Sequence, residues 1–142
     1  MKIIFNIIFI LSCTLVGAQT SANVLIGTDV VTYKFKTIAS SYSVGIDAMD
    51  VADNGFIKEA VLGYNRSFDK DNIMAGIYVG KKLNNLYLRS GARVVIPNGN
   101  LHACALIGYR INTDMIFNVD YSYILNNIGY HTVGANLLYR FY

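Results

Sequence analysis

From Leu25 onward the sequence alternates apolar and polar residues with a period of two, in about eight runs of similar length. A strand points successive side chains to opposite faces, so such a chain is written for β-structure throughout. The runs cover residues 25–36, 41–51, 56–67, 73–80, 86–96, 101–111, 115–125 and 131–142. Between them lie "VADNG", "FDKDN", "KKLNN", "PNGN", "NTD" and "LNNIG", rich in the Asn, Asp and Gly that tolerate positive φ in hairpin turns. The sole proline, Pro97, stands in one of these breaks, where it removes no ladder hydrogen bond. The first break, around Thr37–Ser40, is weakly marked. Short breaks between consecutive strands predict an antiparallel, up-and-down meander.

Sorting each run by parity gives two faces. One holds Val31, Tyr33 and Phe35, then Tyr42, Val44 and Ile46, then Leu62 and Tyr64. It continues through Ile73, Ile77 and Val79, Leu86, Leu88 and Val94, Leu101, Ile107 and Tyr109. Phe117, Val119, Tyr121 and Tyr123, then Val133, Leu137, Tyr139 and Phe141, complete it. The other face carries Lys34, Asp47, Glu59, Arg89, Arg93, His102, Arg110, Asn118, Asp120, Asn136 and Arg140. It also carries seven of the twelve glycines: Gly45, Gly63, Gly76, Gly80, Gly91, Gly108 and Gly134.

Either face could be the inner one. A soluble, lipocalin-like barrel turns the apolar face inward around a small apolar ligand; a membrane barrel turns it outward to lipid. Three features favour the membrane arrangement. The polar face has little more than one charge per strand and mixes glycines with Met74, Tyr78, Tyr87, Leu106 and Leu138, which suits the tight interior of eight strands rather than a hydrated surface. The aromatics of the apolar face fall at two heights, with Tyr33, Phe35, Tyr42, Tyr64, Phe68, Tyr121 and Tyr123 toward one end and Tyr109, Phe117, Tyr139 and Phe141 toward the other. Two aromatic girdles around an aliphatic band match the two interfaces of a bilayer. Finally, eight strands of about 9–11 residues with short turns span a bilayer, and an even count allows the ring to close with no unpaired edge in lipid.

The first residues, "MKIIFNIIFILSCTLVGAQT", read as a secretory signal: Lys2, an apolar run, then Val16-Gly17-Ala18 before the cut. A lipoprotein signal with Cys13 as the acylated residue is the alternative. Cleavage after residue 18 leaves one domain, residues 19–142, with 11 basic and 9 acidic side chains, too balanced to imply nucleic acid. It also leaves Cys104 with no partner for an internal disulfide.

The signal, the eight alternating runs and the terminal "LLYRFY" resemble the small outer-membrane β-barrels of the OmpX and OmpA-transmembrane type. The resemblance implies an eight-stranded transmembrane barrel in the outer membrane of a Gram-negative-type bacterium, with outer-membrane lipid as its surroundings. It also implies that Phe141 or Tyr142 is read by the barrel-assembly machinery. OmpX-type proteins extend long extracellular hairpins, and here every break is short. The segment "VDYSYILNNIGYHTVGANLLYRF" also resembles the end of the PorP/SprF-like proteins of type IX secretion.

Chemistry is sparse. Asp47, Glu59 and Asp120 on the polar face stand against Lys34, Arg89, Arg93, Arg110 and Arg140. Enclosed charges must pair, so this set predicts a salt-bridged plug, with a selectivity-lined pore as the other reading. On the sixth and seventh runs, His102 falls opposite Ser122 or nearby, with Asp120 one inward step away. These are the residue types of a nucleophile, base and orienter, as in a membrane-embedded acyltransferase or hydrolase. The sequence has no G-x-S-x-G elbow, and bulky inward residues leave little room for substrate. His102 and His131 face opposite ways, no carboxylates have EF-hand spacing, and no phosphate-binding glycine pattern occurs, so neither a metal nor a cofactor is expected. The expectation is a non-enzymatic barrel, its protein partner unspecified.

Overall fold

The computed structural model describes residues 20–34, 36–67, 70–97, 99–126 and 129–142. The signal segment with Cys13 and the aromatic residues Phe35 and Phe68 lie outside them. Eight strands follow in order: β1 (Thr20–Tyr33), β2 (Lys36–Val51), β3 (Phe56–Ser67), β4 (Lys70–Leu83), β5 (Leu86–Ile96), β6 (Asn100–Arg110), β7 (Met115–Ile124) and β8 (Tyr130–Arg140). Each pairs antiparallel with its neighbour in sequence, and β8 returns to β1, from Asn23↔Arg140 to Tyr33↔Tyr130. The sheet is therefore closed, and no strand has a free edge on which backbone groups would go unpaired.

The strands follow from the alternation, and β3 and β5 have the bounds that the pattern gives. Others are longer. β1 starts at Thr20 and β2 at Lys36, so the weakly marked break at residues 37–40 is strand. β8 ends at Arg140, one pair before the terminal aromatics. Phe141 and Tyr142 still join the wall: their N–H groups donate to the carbonyl of Ala22, at 3.0 and 3.3 Å, and the Ala22 N–H donates to the Tyr142 carbonyl at 2.9 Å.

The apolar face is outward. Ile46, Ile73, Ile77, Val79, Ile107, Val119 and Val133 are each about half exposed, while Met49, Ile57, Tyr78, Tyr87 and Leu138 on the opposite parity are buried inside. The interior is also where Asp47, Glu59, Arg89, Arg93, His102, Asn118, Asp120 and Ser122 lie.

In β1 the expected faces are reversed. Val31 is buried inside with Leu25 and Asp29, whereas Ile26 and Val30 are exposed outside. Val30 and Val31 are both apolar and adjacent, so the alternation there has no local phase. The polar residues Ser21, Asn23 and Asp29 set it instead, all on the inner parity. Two site expectations fall with it. Lys34 is not lumenal: it is exposed in the β1–β2 turn at φ 47°, its Nζ 5.3 Å from the Tyr33 ring centroid. Tyr33 is not on the lipid-type face: it shares the inner parity of Val31 at the rim, and its ring meets that of Tyr130 at a centroid distance of 4.7 Å. The β1–β2 pairing shifts between Val31 and Thr32, passing over Ile38, which returns β2 to the phase the sequence predicts.

Candidate functional site

The chemistry-bearing side chains converge in the barrel interior, in two groups at different heights. The group nearer the end that carries Thr20 and Tyr142 is built on β1, β2, β3, β5, β7 and β8. Arg89 of β5 reaches over β4 to Glu59 of β3, its Nη1 donating to both carboxylate oxygens at 2.8 and 2.7 Å. Its Nη2 donates to Asn118 Oδ1, and Asn118 Nδ2 donates to Asn136 Oδ1 at 2.7 Å. Asp47 accepts from Asn23 Nδ2 at 2.6 Å.

The crossing needs Gly80. This residue sits opposite Arg89 in the β4–β5 register, and a methyl group there would meet the Leu88 carbonyl oxygen first, then lie 2.8 Å from Arg89 Cα and 2.9 Å from its Cγ. Only a residue without Cβ leaves room for the β5 backbone and the arginine stem together.

The second group centres on Arg93, also of β5. Its Nη1 lies 3.7 Å from Asp120 Oδ2, and its Nη2 donates to Ser122 Oγ at 3.2 Å and Thr132 Oγ1 at 3.4 Å. Ser41 Oγ donates to Asp29 Oδ2 at 3.3 Å. Asp29 and Asp120 approach each other over Gly134, where a side chain would collide with an oxygen of each.

Ser122 and His102 do meet. The register pairs His102 with Ile124 and Ser122 with Cys104, yet His102 Nδ1 lies 3.0 Å from Ser122 Oγ. The serine is fully buried, and its oxygen also contacts Thr132 Oγ1 at 2.5 Å and Arg93. Asp120 engages Arg93, so the carboxylate that would orient a catalytic histidine is directed to an arginine. Next to this cluster is a cavity of ≈ 40 Å³, lined by Asp29, Asn65, Arg93, His102 and Thr132 among others, and a second of ≈ 20 Å³ lies beside Glu59, Tyr78 and Asp120. Such volumes suit one to a few waters. Among the described residues, no three His, Cys, Asp or Glu side chains are grouped to hold a metal ion.

The structure thus brings together Glu59 with Arg89, and Arg93 with Asp120, from the charges picked out in the sequence. Arg110 and Arg140 stand apart, at the barrel mouth next to Thr20 and Tyr142. Asp29, Asn23, Asn118, Asn136 and Thr132 are network members that sequence reading passed over as site residues. For Asn23 and Asp29 the available signal was their spacing with Ser21 on odd positions.

The outer wall carries its aromatics at two levels. Tyr42 and Tyr121, with Tyr64, lie toward the end of the β1–β2 turn. Tyr109, Phe117, Tyr139 and Phe141 lie toward the opposite end, where exposed Phe56 joins them. Tyr109 and Phe117 are direct cross-strand partners. At the first level the Tyr64 hydroxyl donates to Asp71, and Arg66 lies 3.9 Å from the same carboxylate.

No protein-family model matches the sequence, and none of the curated proteins matches it. Among solved structures, one described as "De novo design of transmembrane beta-barrels" superposes with a TM-score of 0.63 at 16% identity, covering 87% of this chain and 98% of that one. The chain has the fold of a small transmembrane β-barrel. Two further structures agree. The solution NMR structure of the designed barrel TMB2.3 gives 0.56 at 17% identity, over 88% and 98% of the chains. Ail, the attachment invasion locus protein of Yersinia pestis, solved with the heparin analogue sucrose octasulfate, gives 0.54 at 14% identity, over 87% and 99%. At these identities the likeness is one of fold.

Proposed function

We propose that this chain is a non-enzymatic outer-membrane β-barrel whose lumen is plugged by its own side chains, with a structural or envelope-interaction role. The observation that carries the reading is the reversal of polarity: half-exposed Ile, Val and Leu form a belt around the outside, while ion pairs fill the inside. In water such a belt would be an exposed apolar surface running all the way round the molecule, far beyond the patches monomeric soluble proteins keep. In a bilayer it is the required face, and the aromatics at its two levels lie where headgroups begin. The lumenal pairs are held across strands, and the cavities beside them are water-sized, which supports a plug rather than a pore. A signal segment at residues 1–18 delivers the chain across the inner membrane, outer-membrane lipid surrounds it, and Phe141 or Tyr142 presents it to the assembly machinery.

Fractionation of bacterial envelopes tests this. The protein should sediment with outer membranes, resist alkaline carbonate and leave only with detergent, and removal of Phe141 and Tyr142 should reduce the amount assembled. Recovery in a detergent-free periplasmic wash would contradict the reading.

One observation favours a second reading, a membrane-embedded hydrolase: the 3.0 Å contact between His102 and Ser122. Ester turnover by the purified barrel that disappears in His102→Ala, with folding intact, would establish it.

A further inference from the structure

The mouth of the barrel beside Thr20 and Tyr142 is built differently from the rest of the lumen. It opens into a cavity of ≈ 380 Å³, lined by Ser21, Val51, Tyr142 and three cations, Lys82, Arg110 and Arg140. Each cation comes from a different strand, and each is fixed by its own backbone N–H on a neighbouring turn. Lys82 donates to the Gly55 carbonyl at 2.7 Å, Arg110 to that of Asn85 at 2.8 Å, and Arg140 to that of Asp114 at 2.7 Å. Two of the three share one aromatic surface. Lys82 Nζ lies 5.9 Å and Arg110 Cζ 5.5 Å from the ring centroid of Tyr87, which is completely buried.

Among the described residues, none of the three forms an ion pair with a side-chain carboxylate. Among the described residues, the ion pairs of the lumen are Glu59 with Arg89 and Asp120 with Arg93, both deeper in the barrel. At this end Asp50, between Met49 and Val51, is on the outer parity of β2 but is buried, and it forms no ion pair with the three cations. Asp53 and Asp114 are exposed in turns. The Arg110 Nε is buried without a hydrogen-bond partner among the described residues. Three like charges around one cavity repel one another, and an anion among them removes that repulsion.

We propose that this vestibule is a binding site for a phosphate-bearing group. Arginine's planar fork engages phosphate oxygens in pairs, and lysine adds a point charge. Three cations answer the several negative charges of a phosphate or diphosphate better than the single charge of a carboxylate. The volume accommodates more than one phosphate, and the Tyr87 ring beneath the cations limits their movement before a ligand arrives. The group is either part of a phospholipid headgroup at the membrane surface or part of a soluble phosphorylated molecule; the cation geometry is the same for both.

The test uses the purified barrel in phosphatidylcholine nanodiscs, titrated with pyrophosphate by calorimetry. Saturable binding is expected, weakened about tenfold or more in Arg110→Gln and Arg140→Gln, as for loss of a charged hydrogen bond. Lys34→Gln, at the opposite rim, should leave it unchanged. A measurement without variants accompanies it: pyrophosphate should protect Arg110 and Arg140, but not Arg66, from phenylglyoxal. Repeating the modification in phosphatidylglycerol nanodiscs separates the sources. Protection there without added pyrophosphate supports the site with a lipid headgroup as occupant, and protection by pyrophosphate alone supports it with a soluble one. Absence of saturable binding together with absence of protection in both discs overturns the proposal. So does binding that both arginine variants retain in full.

Discussion

Arg89 and Glu59 face each other across an intervening strand, and the arginine's Nη1 is within 2.8 Å of both carboxylate oxygens while neither side chain is exposed to solvent by more than 1%. An ion pair so enclosed is strongly asymmetric: removing one partner strands the other in a medium that cannot solvate it. Arg89→Met should therefore destabilise the refolded barrel by about 3–5 kcal/mol. Replacing both partners with apolar residues of similar volume should cost less than either single change, because no charge is left behind. Urea unfolding in lipid vesicles, arranged as a double-mutant cycle, reads both numbers. Equal and additive losses would mean that the pair does not act as a unit.

Gly80 lies at the foot of that crossing, where the β4 and β5 backbones come together. Gly80→Val drives a side chain against the Leu88 carbonyl oxygen and Arg89 Cα and should cost about 1–3 kcal/mol, the range for overpacking. Both atoms are backbone, so the loss should persist in the Arg89→Met background. A loss that disappears there would place the strain on the arginine side chain instead.

Along β4 the outward residues Ile73, Ile77 and Val79 are all more than half exposed, with Ile77 in the middle of the strand. In lipid, Ile77→Arg should destabilise by about 2–4 kcal/mol, whereas Tyr109→Arg at the aromatic level should cost about 0–1 kcal/mol. Such a depth profile is a signature of the bilayer. A water-facing belt would give two small and similar values.

Asp120 and Arg93 tie β5 to β7 through the lumen. Asp120→Ala leaves the arginine with its serine and threonine contacts but no opposing charge at that distance. Lower thermal stability is expected, with planar-bilayer conductance absent in both the unmutated protein and the variant. Steady ion conductance by the unmutated protein would contradict a plugged lumen.

The sequence made the all-β class, the number of strands and most of the two faces readable because parity is a local property. From Ser41 through β8 one phase per strand places Asp47, Glu59, Arg89, Arg93 and Asp120 inside. In β1 the adjacent Val30 and Val31 erase that phase, and the turn at Lys34 lies earlier than the weakly marked break at residues 37–40 implies. What parity cannot supply is height. Glu59 and Arg89 are 30 positions apart on strands that are not neighbours, and their meeting depends on the stagger of β3, β4 and β5. The separation of Arg110 and Arg140 from the paired charges has the same origin: all face inward, but only the ladder registers set them at the mouth. Ser122 and His102 lie close enough in register to be foreseen, while the claims of Thr132 and Arg93 on the same oxygen required the closed ring.

The account rests on a closed barrel with its apolar face in lipid, and gel mobility of the mature protein, extracted in mild detergent and loaded cold or boiled, tests it most directly. A compact, faster band when cold that shifts on boiling, from material insoluble without detergent, is the predicted result. A single band at one position from protein that stays soluble in plain buffer would contradict it.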